Sequence, residues 1–203
     1  MPMPPYPTYR PSGVEWLGDV PEHWDVQRLS HSVHRSDVKI EADDADGLPY
    51  VGLEHVGSWT GSRLPLDDQQ SPESISNAFT AGDVLFGKLR PYLAKAFTAE
   101  FGGLCSAEFL VLKPLAYERR YLLHALLTDG FVSLVDSSTY GAKMPRASWD
   151  FVGAALLPLP PVGEQRSIAA FLDRETERID ALVASDSLSS GCRSTGPRSS
   201  PAP

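Results

Sequence analysis

The chain has 203 residues, of which 42% are hydrophobic, and a formal net charge of −8 at pH 7. This length suffices for one compact domain with an appendage, and no apolar run approaches the roughly 20 residues that cross a bilayer. Two distant cysteines, Cys105 and Cys192, argue against a disulfide framework, and the N-terminus lacks the layout of a signal peptide, so we expect a soluble cytoplasmic protein.

The negative charge is concentrated in two segments. Residues 37–54 carry a net charge of −5 and residues 164–180 carry −2, which leaves the rest of the chain close to neutral. Two stretches without any acid, 84–98 and 137–149, contain five basic residues, namely Lys88, Arg90, Lys95, Lys143 and Arg146. Overall acidity therefore does not exclude a basic face, although it argues against strong non-specific binding to DNA.

The first third of the chain predicts several short elements. Residues 1–11 are a proline-rich arm that we expect to be flexible, and a first helix is expected over 25–35. The alternating segment 50–56 predicts a strand, whereas 67–76, which contains Pro72, predicts a loop or a broken helix.

Three further strands are expected at 83–86, 94–98 and 104–112. Gly102 and Gly103 lie between the last two of them and predict a hairpin. These strands favour one twisted, mixed sheet.

Helices are expected to flank this sheet. Apolar residues follow helical spacing over 118–135, with a break at Gly130, and the apolar segment 149–157 predicts another strand. The sequence as a whole predicts an α/β fold, in which α and β elements are mixed.

The C-terminal region predicts a rigid arm followed by a helix. Pro160 and Pro161 keep the chain extended, and Glu164 then falls in the first helical turn, where a carboxylate interacts favourably with the helix dipole. The apolar positions of this helix are Ile168, Phe171, Leu172, Ile179, Leu182 and Val183. Their spacing fits a helix that packs against a partner helix, and it also fits an amphipathic helix that docks on its own domain.

Motifs of catalysis are absent from the sequence. There is no GxxxxGK[ST] phosphate loop, GxGxxG dinucleotide motif or GxSxG nucleophile motif. His31 and His34 have no third metal ligand nearby, so we interpret them as exposed or capping histidines. The sequence therefore favours a binding module over an enzyme.

Five ordered sequence blocks carry a family resemblance. The first is SGVEWLGDVPEHW (12–24) and the last has the pattern PLPPxxEQxxIAxFLDxExxxID (within 157–180). Between them lie AGDVLFGKLRP (81–91), SAEFLVLKP (106–114) and YGAKMPR (140–146). In this order the blocks resemble the DNA-specificity subunits of Type I restriction-modification systems.

The resemblance implies a domain organisation. Residues 12–161 would form one target-recognition domain, 162–184 a shortened spacer helix that can form a coiled coil and protrudes from the domain, and 185–203 a disordered tail. Because no internal repeat is present, only one recognition unit is expected, so the chain would be a truncated or half-length specificity subunit.

The resemblance also implies a function without catalysis. Such a chain would read one half of a bipartite target in double-stranded DNA, dock methyltransferase and restriction subunits, and possess a helix suited to homodimer formation. S-adenosylmethionine, ATP and Mg would be bound by those partner subunits and not by this chain. The alternative is an interaction relic that binds methyltransferase subunits without gripping DNA.

Three glycine-containing loops provide candidate DNA contacts. Residues 87–92 and 138–146 carry basic, hydroxyl and aromatic side chains, and 58–63 adds a further arginine. The candidate residues are Arg63, Lys88, Arg90, Tyr92, Lys95, Thr139, Tyr140, Lys143 and Arg146. An arginine in such a loop can read a guanine edge, and a lysine can contact a phosphate.

A structural role remains open for several of these residues. Arg90 or Lys95 can instead pair with a local acid, and the loop 138–146 can be a structural turn. Trp59 can be buried, and Glu108 is either a buried acid that organises the site or a solvent-facing residue. Trp16, Trp24 and Trp149 are expected to pack in the core.

Overall fold

The structure is a computed structural model that describes residues 5–45, 47–65, 74–141 and 143–191. The strands are β1 (Tyr9–Pro11), β2 (Asp19–Pro21), β3 (Asp25–Arg28), β4 (Val33–Ser36), β5 (Lys39–Glu41), β6 (Tyr50–Val51), β7 (Ile75–Phe79), β8 (Val84–Gly87), β9 (Ala96–Thr98), β10 (Gly103–Cys105), β11 (Phe109–Pro114) and β12 (Leu156–Leu159). The helices are α1 (Leu29–Ser32), α2 (Arg119–Leu126), α3 (Asp129–Ser137), α4 (Trp149–Ala154) and α5 (Val162–Gly191). The predicted α/β class is confirmed.

The described strands form two four-stranded sheets and two ribbons instead of one sheet. One sheet is antiparallel with the order β4-β11-β8-β9. The other has the order β5-β7-β10-β6 and is mixed, since β10 and β6 run parallel. The ribbons are β1-β2 and β3-β12.

The predicted strand 104–112 is two strands, and the hairpin across Gly102 and Gly103 is wrong. β10 pairs with β6 and β7, whereas β11 pairs with β4 and β8, so the chain changes sheet between Cys105 and Phe109. The physical reason lies at Gly103, where a Cβ would come 2.5 Å from the carbonyl oxygen of Pro49. Gly103 thus allows the backbone to approach Pro49, a residue distant in sequence, closely.

Two hydrophobic clusters form the core. The larger lies where the antiparallel sheet meets α2, α3 and α4, and it includes Leu29, Leu122 and Phe131. The smaller contains Phe79, Phe97 and Phe109, whose rings meet edge to face, a favoured geometry.

The predicted helix over 25–35 is mostly extended. Only Leu29–Ser32 is helical, and it is flanked by β3, which pairs with β12, and β4, which pairs with β11. Val26 and Val33 are β-branched and suit strands, and pairing with strands distant in sequence overrides the local helical pattern. Leu29 and Val33 remain in the core.

Two other segments have a secondary structure different from the one predicted. The segment 50–56 is a strand only at Tyr50–Val51 and continues as a 3-10 turn over Leu53–His55, where the amide of Gly52 donates to Nδ1 of His55 at 3.0 Å. The segment 149–157 begins as helix α4, because Oγ of Ser148 caps it by accepting from the amide of Phe151 at 3.3 Å.

The helical region 118–135 is confirmed, but its break precedes Gly130. α2 ends at Leu126, and α3 begins at Asp129. Gly130 lies inside α3, where a Cβ would come 2.6 Å from Cε3 of Trp16. This glycine therefore allows an indole to pack against the helix and does not end one.

The chain ends differ from the predicted arm and tail. Residues 9–11 form β1, and Arg10 donates to the backbone oxygens of Glu22 and Trp24 at 3.3 and 2.6 Å, so 5–11 are not a free arm. α5 continues to Gly191, beyond the predicted end at 184, because no proline or glycine interrupts 185–190. The loop predicted at 67–76 falls mostly on 66–73, and that segment and 192–203 lie outside the described residues.

No helix in the described part of the chain has both the length and the apolar character that would span a membrane.

Candidate nucleic-acid interface

The three predicted loops meet in the structure. The amide of Arg90 donates to the carbonyl of Pro145 at 2.8 Å, and that of Ala147 donates to the carbonyl of Lys88 at 2.9 Å. The amide of Trp59 donates to the carbonyl of Ala94 at 3.1 Å. Backbone hydrogen bonds thus join the loops into one surface, here called the three-loop surface (57–63, 88–95, 139–141 and 143–146).

Backbone strain is concentrated in this surface. Among the described residues, the non-glycine residues with a positive φ are Trp59 (64°), Arg90 (50°) and Ala94 (45°), and all three belong to it. The left-handed region is unfavourable for residues with a Cβ and is found mainly where surrounding contacts hold it. Here the contacts between the loops hold it.

The three-loop surface exposes aromatic and cationic side chains. Trp59 is 46% exposed, Tyr92 47% and Tyr140 65%. Arg90 and Lys143 are also exposed, and neither forms an ion pair with another described residue. Arginine and lysine in this state can bind phosphates or base edges without first breaking an internal contact.

Other predicted contact residues hold the loops in place. Arg146 donates from Nε to both carboxylate oxygens of Glu108 at 3.0 Å and from a terminal nitrogen at 2.9 Å. The hydrogen bonds to Glu108 raise the pKa of Arg146 further above its ordinary value. Lys95 Nζ donates to the carbonyl of Leu53 at 2.7 Å, and Thr139 Oγ1 donates to the carbonyl of Asp136 at 2.8 Å. Arg146, Lys95 and Thr139 therefore stabilise the loops in this structure.

The structure resolves the alternatives that the sequence left open. Glu108 is a half-buried acid that organises the site, and Arg90 does not pair with a described acid, whereas Lys95 pairs with a carbonyl. Arg63 lies at the edge of the surface, with Cζ 5.1 Å from the ring centroid of Phe101. It faces a cavity of about 380 Å³ that separates this loop from α2 and α5.

Two large hydrophobic residues that are exposed on the surface were not among the predicted contacts. Trp59 is exposed, with its Nε1 donating to the carbonyl of Tyr92 at 3.2 Å, and Met144 is 44% exposed. The signal for Trp59 was its place in a polar loop between two glycines, which offers little to bury an indole. Trp16 and Trp149 pack against the core as predicted, and Trp24 is half-buried.

The base of α5 is anchored to the domain by a buried glutamine. Gln165 is 1% exposed. Its Oε1 accepts from the amide of Glu118 at 2.6 Å, and its Nε2 donates to the carbonyls of Pro160 and Ala116 at 2.8 and 3.2 Å. All of its side-chain polar atoms are satisfied, so the helix start is fixed in position.

A carboxylate anchors the N-terminal segment at the same place. Glu164 accepts hydrogen bonds from Trp24 Nε1 at 2.9 Å, from the Tyr6 hydroxyl at 2.8 Å and from His23 Nε2 at 2.8 Å. Burial raises the pKa of Glu164, but these hydrogen bonds together lower it below its ordinary value. The donors lie within the first 24 residues, so the N-terminal segment holds the helix.

A second carboxylate anchors α5 to α2. Asp173 accepts from Arg120 at 2.8 and 3.2 Å and from His124 at 2.7 Å. Burial raises the pKa of Asp173, but the bonds from Arg120 and His124 outweigh it and the pKa lies below its ordinary value. α5 is therefore attached to the domain as far as Asp173.

The predicted apolar seam of α5 has two parts with different roles. Ile168 packs against the core of its own domain, and Leu172 lines an apolar cavity beside Trp16 and Trp24. The prediction that Ile168 and Leu172 face a partner helix needs correction, because their own domain partly covers both side chains. Beyond Asp173 the apolar side chains are exposed, at 54% for Ile179, 57% for Leu182 and 63% for Val183. Phe171 is half-buried.

These features define a class of protein. An α/β domain presents a loop surface rich in exposed aromatic and cationic groups, and a helix fixed at its base projects an apolar edge. Within the described ranges, no group of three or more His, Cys, Asp or Glu side chains is placed to hold a metal ion. The class is an α/β domain with an exposed loop surface and a C-terminal helix anchored at its base.

Known proteins of this class are similar to the chain. It is 23% identical over 154 residues, 75% of its length, to the Type I restriction enzyme EcoDI specificity subunit of Escherichia coli. It is 34% identical over 68 residues to the EcoBI specificity subunit of the same organism. The crystal structure of the HsdS subunit from Thermoanaerobacter tengcongensis matches 80% of the chain with a TM-score of 0.66 and 25% identity. No protein-family model matches the chain.

The comparisons confirm the resemblance predicted from the five sequence blocks. In sequence and in fold, the chain is related to the specificity subunits of Type I restriction enzymes. All three similar proteins are named specificity or HsdS subunits, which agrees with the expected non-catalytic role. The chain spans 34% of the EcoDI subunit and 44% of the Thermoanaerobacter subunit.

Proposed function

We propose that this chain is a specificity component that recognises a sequence in double-stranded DNA through the three-loop surface and catalyses no reaction itself. The observation that carries the proposal is the junction of three loops that exposes Arg90, Lys143, Tyr92 and Tyr140 together. Because one such loop surface is present among the described residues, we propose that this domain reads one half of a bipartite target.

The side chains of the surface suit duplex DNA in their charge and hydrogen-bonding groups. Lysine side chains neutralise phosphates, and arginine forms a bidentate pair with guanine O6 and N7. Arg90 is the best candidate for a base contact, because its backbone is held to Pro145 while its side chain is exposed. Lys143 is the best candidate for a phosphate contact.

The exposed part of α5 is the proposed assembly surface. Apolar side chains at Ile179 and Val183 are one helical turn apart and exposed, which suits pairing with another helix. We propose methyltransferase subunits, a restriction subunit and a second copy of this chain as partners. S-adenosylmethionine, ATP and Mg would then be bound by those other subunits.

Duplex binding by the whole chain tests the recognition proposal. We expect log K for a short random-sequence duplex to fall linearly with log salt concentration. Lys143→Ala should reduce the magnitude of this slope by about 0.9, the contribution of one phosphate contact. Arg90→Ala should reduce discrimination between a selected duplex and the random pool by about 1–3 kcal/mol. Arg174→Ala, which removes an exposed arginine of α5, should leave both unchanged.

The same measurements identify the alternative. If the chain shows no salt-dependent duplex binding but still binds a methyltransferase subunit, it is an interaction relic, and the recognition proposal is wrong. If Arg174→Ala weakens binding as much as Arg90→Ala and Lys143→Ala do, the three-loop surface is not the DNA interface.

A further inference from the structure

A cationic groove lies beside the three-loop surface. It is a cavity of about 240 Å³, and its polar lining consists of Arg35, Ser36, Asp37, Lys39, Asn77 and Lys88. Arg35, Lys39 and Lys88 carry positive charge and Asp37 carries negative charge, so the net charge of the lining is +2 at neutral pH.

The groove lies between strands of the two four-stranded sheets. Lys39 in β5 is paired in register with Asn77 in β7, and Nδ2 of Asn77 donates to the carbonyl of Phe109 in β11 at 3.1 Å. The sheets are therefore tied together beneath the groove. Side chains placed on such strands are held more precisely than side chains on a free loop.

The cations of the groove are only partly neutralised. Arg35 pairs with Asp37 at 2.6 Å, and its Cζ lies 5.7 Å from the ring centroid of Trp149. Lys39 is exposed and Lys88 is half-buried, and neither has an ion pair among the residues that the structure describes. Two lysine ammonium groups therefore remain for an anion.

Lys88 connects the groove to the three-loop surface. It lines the groove, and its carbonyl accepts the hydrogen bond from Ala147 in the third loop. Arg90 follows two residues later, so the Cα atoms of Lys88 and Arg90 are at most about 7 Å apart. The groove is therefore adjacent to the proposed base contact.

We infer that the cationic groove binds a backbone phosphate of the DNA whose bases are read by the three-loop surface, with Lys39 and Lys88 as the contacting residues. This inference rests on the proposed function. The negative charge of Asp37 weakens phosphate binding in the groove, because a carboxylate and a phosphate repel each other. The groove therefore positions the duplex and sets the strength of binding, while the loop surface determines sequence preference.

Two substitutions with opposite expected effects test the groove, using the whole chain and a random-sequence duplex. Lys39→Gln should weaken binding several-fold and reduce the magnitude of the salt slope by about 0.9. Asp37→Asn should strengthen binding several-fold, because it removes the repulsive charge. Lys113→Gln is the matched control, since Lys113 lies in β11 outside the groove and is 4.0 Å from Asp83. Thermal unfolding of each variant checks that the fold is kept.

The outcomes separate this inference from the proposed function. If Arg90→Ala alters duplex recognition but Lys39→Gln and Asp37→Asn both bind as Lys113→Gln does, the groove inference is wrong and DNA recognition stands. If the unaltered chain binds no duplex, the proposed function fails and the groove inference fails with it. Saturable binding of inorganic phosphate that shifts the amide resonances of 35–39 and is not displaced by duplex would assign the groove to a small anion instead.

Discussion

Glu108 connects two of the three loops through both its side chain and its backbone. Its carboxylate binds Arg146, and its carbonyl accepts from the amide of Lys88 at 2.9 Å. Arg146 in turn pairs with Tyr140 through two backbone hydrogen bonds of 3.1 and 3.3 Å. Glu108, which lies beside the three-loop surface, thus acts as a positioning residue for the loop that carries Lys143.

We expect Glu108→Gln to weaken duplex binding several-fold. Removal of a negative charge from a DNA interface would by charge alone strengthen binding, so weaker binding indicates that the loop has lost its position. Hydrogen exchange gives a second readout, because the amide of Arg90 is bonded to Pro145 and should exchange faster in the variant.

Glu15→Gln is the control, since Glu15 is an exposed acid outside the three loops. Stronger duplex binding by Glu108→Gln, with unchanged protection of the Arg90 amide, would show that Glu108 does not position the loop.

At the level of single residues, the sequence singled out three loops that the structure brings together, but it did not show which of their side chains remain available. Its three loops contain Arg90 and Lys143, which are exposed. It also assigned Lys95 to DNA, whereas the structure bonds Lys95 to Leu53, 42 residues away. A partner so distant in sequence follows from the fold and cannot be read from the local pattern.

The element that connects the domain to the proposed assembly surface is α5. Glu164, Gln165 and Asp173 attach its first three turns, and Ile179 to Val183 lie beyond the last anchor. The sequence predicted the start of the helix at the two prolines and the full set of apolar positions. It did not show that the first half of the seam is partly covered by its own domain, because the covering residues come from α2 and from the first 24 residues.

The attachment of α5 is expected to weaken in acid. The pKa values of Glu164 and Asp173 are lower in the folded protein than in an unfolded chain. Their contribution to stability is therefore fully present above the ordinary carboxyl pKa of about 4 and is lost as the pH falls through the lower folded values. Thermal unfolding measured as a function of pH should show this loss.

Asp173→Asn should reduce the free energy of unfolding at neutral pH by about 1 kcal/mol, since the lost bonds are charged but partly exposed. The difference from the unaltered chain should shrink as the pH falls below about 4. Asp180→Asn, at an exposed position of the same helix, should change little. A difference for Asp173→Asn that stays constant with pH would contradict the electrostatic explanation.

At the scale of the whole molecule, the chain has two surfaces with different chemistry, and the anchored base of α5 connects them. The three-loop surface is cationic and aromatic, and the far part of α5 is apolar. We expect the chain to associate through this part of α5, either with itself at tens of micromolar or with a methyltransferase subunit.

The double substitution Ile179→Ser with Val183→Ser should abolish this association in sedimentation experiments without lowering the unfolding temperature. Leu115→Ser is a suitable control, because Leu115 is 70% exposed but lies outside α5. If the unaltered chain remains monomeric and binds no methyltransferase subunit, or if Leu115→Ser has the same effect as the double substitution, α5 is not the assembly surface.

The overall architecture was only partly predictable from the sequence. The α/β class, the helical region of α2 and α3 and the start of α5 followed from periodicity and prolines. The sheet arrangement did not, because β10 and β11 are separated by only three residues and yet belong to different sheets. Pairing choices of this kind depend on segments far apart in the chain, such as Pro49 beside Gly103.

The conformations of Trp59 and Arg90 have a consequence for how this protein tolerates change. A left-handed backbone costs about 1–2 kcal/mol for a residue with a Cβ, and glycine adopts it freely. Glycine at either position would relieve that cost in the folded state, yet it would also remove the indole or the guanidinium. The chain therefore keeps large side chains at two positions whose backbone conformation favours glycine.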